Sequence, residues 1–448
     1  MLNLQDTIVA PATPAGVSAI SIVRLSGNDA ISIVDACFTK PLKDQPGYTI
    51  HYGFIKDGDA DVDEVLVSLF RNPQSYTGED SIEISCHGSP FIVRRVIETM
   101  INNGARMADP GEFTLRAFLN QKLDLAQAEA VADMIHSNSE ASLQMAISQI
   151  RGGFSEDISY LRQELIDFAA LIELENDFGE EDVEFANRPK LRALVEKIIT
   201  HIEKLRTSFV AGNAMKNGVN TVIAGKPNAG KSTLLNALLN EDRAIVSEIE
   251  GTTRDTIEEM FVLKGVQFRL IDTAGLREST DHIEQIGVGK AKAEMDKAEL
   301  LMYLFDVTKT TPESLHDELT ELPKVDTVVL VANKIDAIDF KEKDWPSNTV
   351  AISAKHKNID TLLKRLEDIV DTYEFGNETI VNNARHADAL AKSSDALQTV
   401  LEGLSNDIPS DLVALDIRDG LYYLGLITGE VTNDEVLSSI FGRFCIGK

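Results

Sequence analysis

The chain has 448 residues, 43% of them hydrophobic and 26% charged, proportions that exclude a disordered or fibrous protein. With 43 Lys+Arg against 72 Asp+Glu, its net charge of −29 excludes a broadly basic nucleic-acid binder and confines any such contact to local patches or a partner. Cys37, Cys86 and Cys445 are too scattered for a disulfide framework, and no apolar run reaches the length of a membrane span. The start, MLNLQDTIVAPATPAG, lacks the basic and continuous apolar regions of a signal peptide. The expectation is a soluble cytoplasmic protein of roughly three domains, at about 150 residues each.

From Asp6 to about Ala117 the texture mixes strand and helix. Ser18–Leu25 and Val65–Phe70 are short β-branched-rich runs between Gly, Pro and Asn clusters. From about Asn120 apolar residues recur at helical spacing. Leu143, Ala146, Ile147 and Ile150 form one stripe, Leu161, Leu165, Phe168 and Ile172 a second, and Leu191, Leu194, Val195, Ile198, Ile202 and Leu205 a third. The acidic stretch Glu173–Glu184 reads as a solvated loop or helix end, with a metal site built from its carboxylates the less favoured alternative. Near Gly212 short apolar strands begin to alternate with helices: Asn220–Ala224, Phe268–Ile271, Leu300–Asp306, Thr327–Ala332 and Thr349–Ile352. That alternation predicts a parallel sheet with crossover helices. After about Tyr373 helix returns, with Leu390, Leu397, Leu401 and Leu404 on one stripe and Leu412, Leu415, Leu421 and Leu424 continuing the apolar pattern. A helical region interrupted by an α/β block implies a helical domain split around an inserted one.

The run from Gly225 to Ser232, GKPNAGKS, is a full GxxxxGK(S/T) element between the strand Asn220–Ala224 and a helix opening at Thr233. Its backbone N–H groups, through Asn228, Ala229, Gly230 and the helix N-terminus, suit phosphate oxygens. Lys231 is placed to reach the terminal phosphates and the Ser232 hydroxyl to coordinate magnesium. Further elements follow in the order a guanine-nucleotide switch requires. Gly251-Thr252-Thr253 offers a second magnesium ligand, Thr253. Asp272-Thr273-Ala274-Gly275 ends a strand with a carboxylate near the metal and a glycine near the γ-phosphate. Asn333-Lys334-Ile335-Asp336 ends another, where Asp336 matches the paired ring N–H and amine donors of guanine. Ser353-Ala354-Lys355 then caps the base. All five occur in order within one α/β block.

Leu276 stands where Ras-like GTPases carry the glutamine that orients the attacking water. Two residues are candidates to compensate. Asn228 has an amide oxygen able to ligate a monovalent cation in the place of an arginine finger, and Glu284 could position water. Alone, Glu284 reads as an exposed helix residue. His87, beside Cys86, has no second histidine or CxxC pair nearby, so a packed turn is expected rather than a metal site. The C-terminus, Phe444-Cys445-Ile446-Gly447-Lys448, has no explanation in sequence physics alone.

The ordered motifs, the leucine after DTAG and the terminal CIGK resemble the MnmE (TrmE) family of tRNA uridine-modification GTPases. So do Asp6–Ala10 with Ala12-Thr13-Pro14, Ser75–Asp80, Pro110–Phe113 and Ala117–Glu129, which small GTPases at large do not share. The resemblance implies an α+β tetrahydrofolate-binding and dimerising domain over 1–118 and a helical domain over 119–215 and 373–448. Inserted in the latter is a P-loop G domain over 216–372. It implies a one-carbon folate of the 5-formyl-tetrahydrofolate type at Arg24, Glu83, Lys122 and Lys448, and a role for Cys445 in modification. It further implies potassium-stimulated hydrolysis by paired G domains. Potassium would be held by Asn228 and the loop Ser247-Glu248-Ile249-Glu250-Gly251-Thr252, through Ser247, Ile249 and Thr252, with Glu284 positioning water. The implied partners are a second copy, the FAD-dependent protein MnmG and tRNA, whose wobble uridine receives an aminomethyl-type group at carbon five. A regulatory GTPase of ribosome assembly is the alternative. It would be expected to carry a second G domain or an RNA-binding domain, and neither is evident. A folate-binding scaffold with a decayed GTPase block is opposed by the intact Lys231, Ser232, Thr253, Asp272 and Asp336.

Overall fold

The computed structural model describes residues 5–177, 188–240, 245–246, 258–272, 298–320, 322, 325, 327–341, 344–372, 379–406 and 408–448. The chain divides into two compact units. One joins Met1–Ala132, Gln149–Leu191 and Glu402–Lys448, and the other joins Asp133–Ser148 and Arg192–Leu401.

The first unit opens with β1 (Ile8–Pro11), β2 (Ser18–Ser26), α1 (Ala30–Cys37), β3 (Thr49–Asp57), β4 (Ala60–Phe70), β5 (Ser81–Gly88), α2 (Pro90–Asn102) and β6 (Arg106–Met107). The six strands form one sheet in the order β3-β4-β5-β2-β1-β6, antiparallel except for the parallel β1–β6 pair. Alternation decides its inner face: Val65, Val67 and Leu69 on β4 and Ile82, Ile84 and Cys86 on β5 point inward. There they pack with Ile33 and Val34 of α1 and Val96 and Met100 of α2. β4 begins five residues earlier than its apolar run, through Ala60–Glu64, where Asp61 and Glu64 stay exposed. His87 is a correction. It lies on strand β5 rather than in a packed turn, its side chain 63% exposed and ion-paired with Asp63 at 2.8 Å.

The helices α3 (Glu112–Leu119), α4 (Leu125–Ile135), α5 (Glu140–Ile150), α6 (Gly153–Asp177), α7 (Arg188–Thr207) and α8 (Phe209–Asn217) follow. Their periodic residues are the ones that bury: Leu161, Leu165, Phe168 and Ile172 on α6, and Leu191, Val195, Ile198, Ile202 and Leu205 on α7. α6 carries the acidic stretch as far as Asp177; its remainder lies outside the described residues.

The second unit contains β7 (Val219–Ala224), α9 (Lys231–Leu239), β8 (Ile245–Val246), β9 (Glu258–Leu263), β10 (Val266–Asp272), β11 (Leu300–Asp306), α10 (Pro312–Thr320), β12 (Thr327–Asn333), β13 (Thr349–Ile352) and α11 (Asp360–Thr372). Its seven-stranded sheet runs β13-β12-β11-β7-β10-β9-β8, with the first five strands parallel. Every residue of the central β11 is buried, as expected of a parallel strand covered on both faces. β9 and β10 form a hairpin through Lys264 (φ 48°) and Gly265 (φ 80°), a two-residue turn with both φ positive.

Three helices close the chain: α12 (Ala384–Ser405), α13 (Ser410–Thr428) and α14 (Asp434–Phe441). α13 packs along α6. It buries Val413, Ile417, Leu424 and Ile427, whereas Leu412 and Leu415 of the expected apolar pattern face outward, 50% and 54% exposed. No helix among the described residues is long and apolar enough to cross a membrane.

Candidate functional site

In the second unit the loops after β7, β11, β12 and β13 leave the carboxyl ends of neighbouring parallel strands, where open α/β sheets place ligands. Gly225 ends the strand side of the phosphate loop at φ 147°. A Cβ there would lie 2.0 Å from the carbonyl oxygen of Leu304, so the loop can press against β11 only with glycine. Asn228 takes the left-handed conformation (φ 63°) that turns the loop back toward α9. Lys231 is buried, and its ammonium donates to the carbonyls of Gly225 (2.9 Å) and Lys226 (3.1 Å). Ser232 and Thr233, in the first turn of α9, are exposed and follow the cradle directly.

Asn333, at the end of β12, fastens three loops together. Its Nδ2 donates to Ala229 O (2.8 Å), while its Oδ1 accepts from the backbone N–H of Lys334 (2.8 Å) and of Ala354 (3.1 Å). Lys334 donates to Asn228 O (3.0 Å) and to Asp306 Oδ2 (2.6 Å). Burial pushes the Asp306 carboxyl up, but the Lys334 ammonium and two bonds from Thr308 outweigh it and hold the group ionised. The Asp336 side chain is open to solvent, and one of its oxygens accepts from the Ser353 hydroxyl. That bond holds the carboxyl below its ordinary value, with His356 and Lys355 adding to it. Lys355 is exposed beside the buried Ala354.

The structure therefore brings Asn228, Ala229, Gly230, Lys231, Asn333, Lys334, Asp336, Ser353 and Ala354 into one connected set. Asp272 ends β10, whose backbone pairs with β7 at Ile223. Ser247, Glu248, Ile249, Glu250, Gly251, Thr252, Thr253, Thr273, Ala274, Gly275, Leu276 and Glu284 lie outside the described residues.

A second cluster lies in the first unit, where the last residues of the chain meet the start of the sheet. Asn433 caps α14 by accepting from Val436 N (2.9 Å). Leu437, Phe441 and Phe444 then pack with Leu115, Leu125 and Ala128. Gly447 (φ 93°) lies so close to β1 that a Cβ would meet the carbonyl oxygen of Pro11 at 2.1 Å. Arg24 donates from NH1 to Gly447 O (3.4 Å) and pairs with Glu83 at 2.7 Å across β2 and β5. Its guanidinium also lies 5.6 Å from the Tyr76 ring and 5.8 Å from that of Phe113. Burial pushes the Lys448 ammonium down, and the neighbouring Arg24 charge lowers it further. Lys122 is anchored differently, against the 73–78 loop, donating to Pro73 O (3.2 Å). Cys445 is exposed and its thiol free.

Sequence reasoning missed the buried ionic network that supports this cluster. Arg116 is buried and binds Asp6 (2.8 Å), Glu112 (3.0 Å) and Glu79 (3.3 Å). Arg106 reaches the same Asp6 and Glu112, each at 2.7 Å. For both carboxyls burial opposes ionisation, but the two arginines prevail and hold them below their ordinary values. Asp6 and Glu112 fall within family-like segments, but no local signal pairs residues more than a hundred positions apart.

A glycine-pressed phosphate loop after β7 and a solvent-facing carboxylate after β12, on the same edge of a parallel sheet, define a P-loop nucleotide-binding protein of the GTPase type. Residues 125–445 match the family model of the MnmE helical domain, and residues 7–122 that of the GTP-binding protein TrmE N-terminus. The tRNA modification GTPase MnmE of Flavobacterium johnsoniae is 50% identical over 468 residues, covering 100% of both chains. That of Christiangramia forsetii is 48% identical over 474 residues, again covering 100% of both. That of Cytophaga hutchinsonii is 50% identical over 456 residues, covering 100% of this chain and 98% of its own. The chain belongs to the MnmE family of tRNA modification GTPases, enzymes that hydrolyse GTP in tRNA modification.

Proposed function

We propose that this chain is a potassium-stimulated GTPase that acts with the FAD-dependent protein MnmG on the wobble uridine of certain tRNAs. The product carries an aminomethyl-type substituent at carbon five, its one-carbon unit drawn from a folate of the 5-formyl-tetrahydrofolate type. The observation that carries the reading is the connected set around Asn333, which joins a polyphosphate cradle to a guanine-recognising carboxylate. The cradle suits polyphosphate because its wall is backbone where a side chain would collide with Leu304.

In this reading Lys231 exchanges its two loop carbonyls for phosphate oxygens. The exposed Ser232 hydroxyl, with Thr253, suits magnesium, a hard cation that prefers oxygen. Asp336 accepts from guanine, and the backbone around Ser353-Ala354-Lys355 closes over the base. Asn228, with oxygens of Ser247, Ile249 and Thr252, holds potassium. Bound there, it would supply the positive charge for which other GTPases use an arginine finger, worth about 10³–10⁵ in rate. Glu284 orients the attacking water in the place left by Leu276. Two facing G domains of a homodimer hold the loop closed.

Arg24, Glu83, Lys122 and Lys448 are assigned to the folate. The aromatic rings of Tyr76 and Phe113 beside Arg24 support the assignment, since they offer flat apolar surface next to charge. Cys445, free and exposed next to that cluster, is assigned to the modification step. The test compares GTP turnover in potassium and in sodium at constant ionic strength. Turnover is expected to fall sharply in sodium, and Asn228→Ala to abolish the difference. Equal rates in the two salts, at concentrations where G domains pair, would refute the potassium mechanism.

A further inference from the structure

We propose that Glu318 is a positioning residue for the phosphate loop, holding Lys226 from outside the nucleotide site and so setting how long a nucleotide stays bound. The proposal rests on the reading of Gly225–Ser232 as a GTP site. Leu315 fixes α10 against the sheet by packing into the cluster that contains Val222, Ala224, Leu301 and Phe305. Glu318, one turn on, lies on the same face of the helix. Its two carboxylate oxygens divide their work. One accepts from the Tyr303 hydroxyl (2.6 Å) and the other from the Lys226 ammonium (2.6 Å). Tyr303 is a rigid partner: it is buried in β11 and paired with Ala224 on one side and Leu330 on the other. Lys226 is the opposite, a loop residue with its side chain 65% exposed. Glu318, only 13% exposed, thus ties the loop to the sheet.

Lys226 is gripped at both ends, its carbonyl by Lys231 and its ammonium by Glu318. Phosphate draws Lys231 away from that carbonyl, and Glu318 then keeps the loop in its nucleotide-binding shape. A tether of this kind acts on residence time and leaves the bond-breaking step alone, because Glu318 touches no reacting atom.

The experiment follows release of fluorescent N-methylanthraniloyl-GDP from the full-length chain, with GTP hydrolysis measured in single-turnover and steady-state form. An ion pair exposed on one side is worth a small factor, so Glu318→Gln should speed release about two- to five-fold. The KM for GTP should rise by a similar factor while the single-turnover rate stays put. Lys226→Met, made from the exposed side where the core cannot be disturbed, should speed release by a similar factor. The double variant Lys226→Glu/Glu318→Lys should restore slow release, which general loosening of α10 would not produce. Unchanged release in both Glu318→Gln and Lys226→Met, or no recovery in the reversed pair, overturns the tether. A full-length chain that binds no labelled GDP contradicts the nucleotide reading itself.

Discussion

At Asp336 a solvent-facing carboxylate is held below its ordinary value chiefly by one hydroxyl, that of Ser353. Because its pKa is depressed, the anion needed to accept from guanine persists as pH falls toward the acidic range and is lost only below the ordinary carboxylate value. Ser353→Ala removes the main cause and moves the carboxyl back toward that value. Its GTP affinity should therefore begin to fall at a higher pH than the parent's, a difference that fluorescence titration from neutral to mildly acid pH would show. Asp336→Asn should weaken GTP and favour xanthine nucleotides, since xanthine offers an acceptor where guanine offers an amine. Equal GTP affinity in parent and variant would remove Asp336 from base recognition. These residues were legible because their motifs are short and their spacing is set by one turn. Glu318 was not: it meets Lys226 across 92 positions, and nothing local marks the pair.

Among the elements, α3 is held by a charge network as well as by its apolar face. Glu112 and Arg116, one turn apart, are both buried and pair with each other; Glu112 also binds Arg106 of β6, and Arg116 binds Asp6, which Arg106 binds too. Glu112→Ala leaves the buried Arg116 short of a partner and should cost roughly 3 kcal/mol of stability. Thermal unfolding checks it, and a loss under about 0.5 kcal/mol, the size of an ordinary surface change, would show the network to be dispensable. Both carboxyls have depressed pKa values. Their contribution is complete above the ordinary carboxylate range and is lost as pH falls through the folded-state values, so the gap between parent and variant should narrow in acid. Periodicity located the long helices and five of the parallel-sheet strands well, because a covered strand is a continuous apolar run. It did not find β9, whose turn residues Lys264 and Gly265 carry no asparagine or aspartate signal. Nor does it say which stripe of a mostly apolar helix faces inward, as Leu412 and Leu415 show.

In the molecule as a whole, residues from opposite ends of the sequence meet inside one unit, Arg24 binding the carbonyl of Gly447 across 423 positions. Composition shifts marked the mixed, helical and α/β stretches, but only the family resemblance suggested that the last residue returns to the first strands. Deleting Gly447-Lys448 should reduce tetrahydrofolate binding in calorimetry while leaving GTP binding intact. Unchanged folate affinity would take Lys448 out of that site. A net charge of −29 fits a protein that meets tRNA through a partner better than one that binds it alone. With MnmG as the proposed partner, omitting it should abolish tRNA binding in a gel-shift assay, and equally tight binding without it would argue for a local basic patch.

The most direct measurement of the proposed function is mass-spectrometric analysis of wobble nucleosides from cells lacking this protein. The cells are complemented with the parent chain or with Asp336→Asn, each shown to accumulate to the same level. The parent should restore the aminomethyl-type group at carbon five of uridine, and Asp336→Asn, unable to select GTP, should leave the unmodified base in excess. Full modification without the protein, or full restoration by Asp336→Asn, would contradict the assignment of a guanine-nucleotide-driven role in tRNA modification.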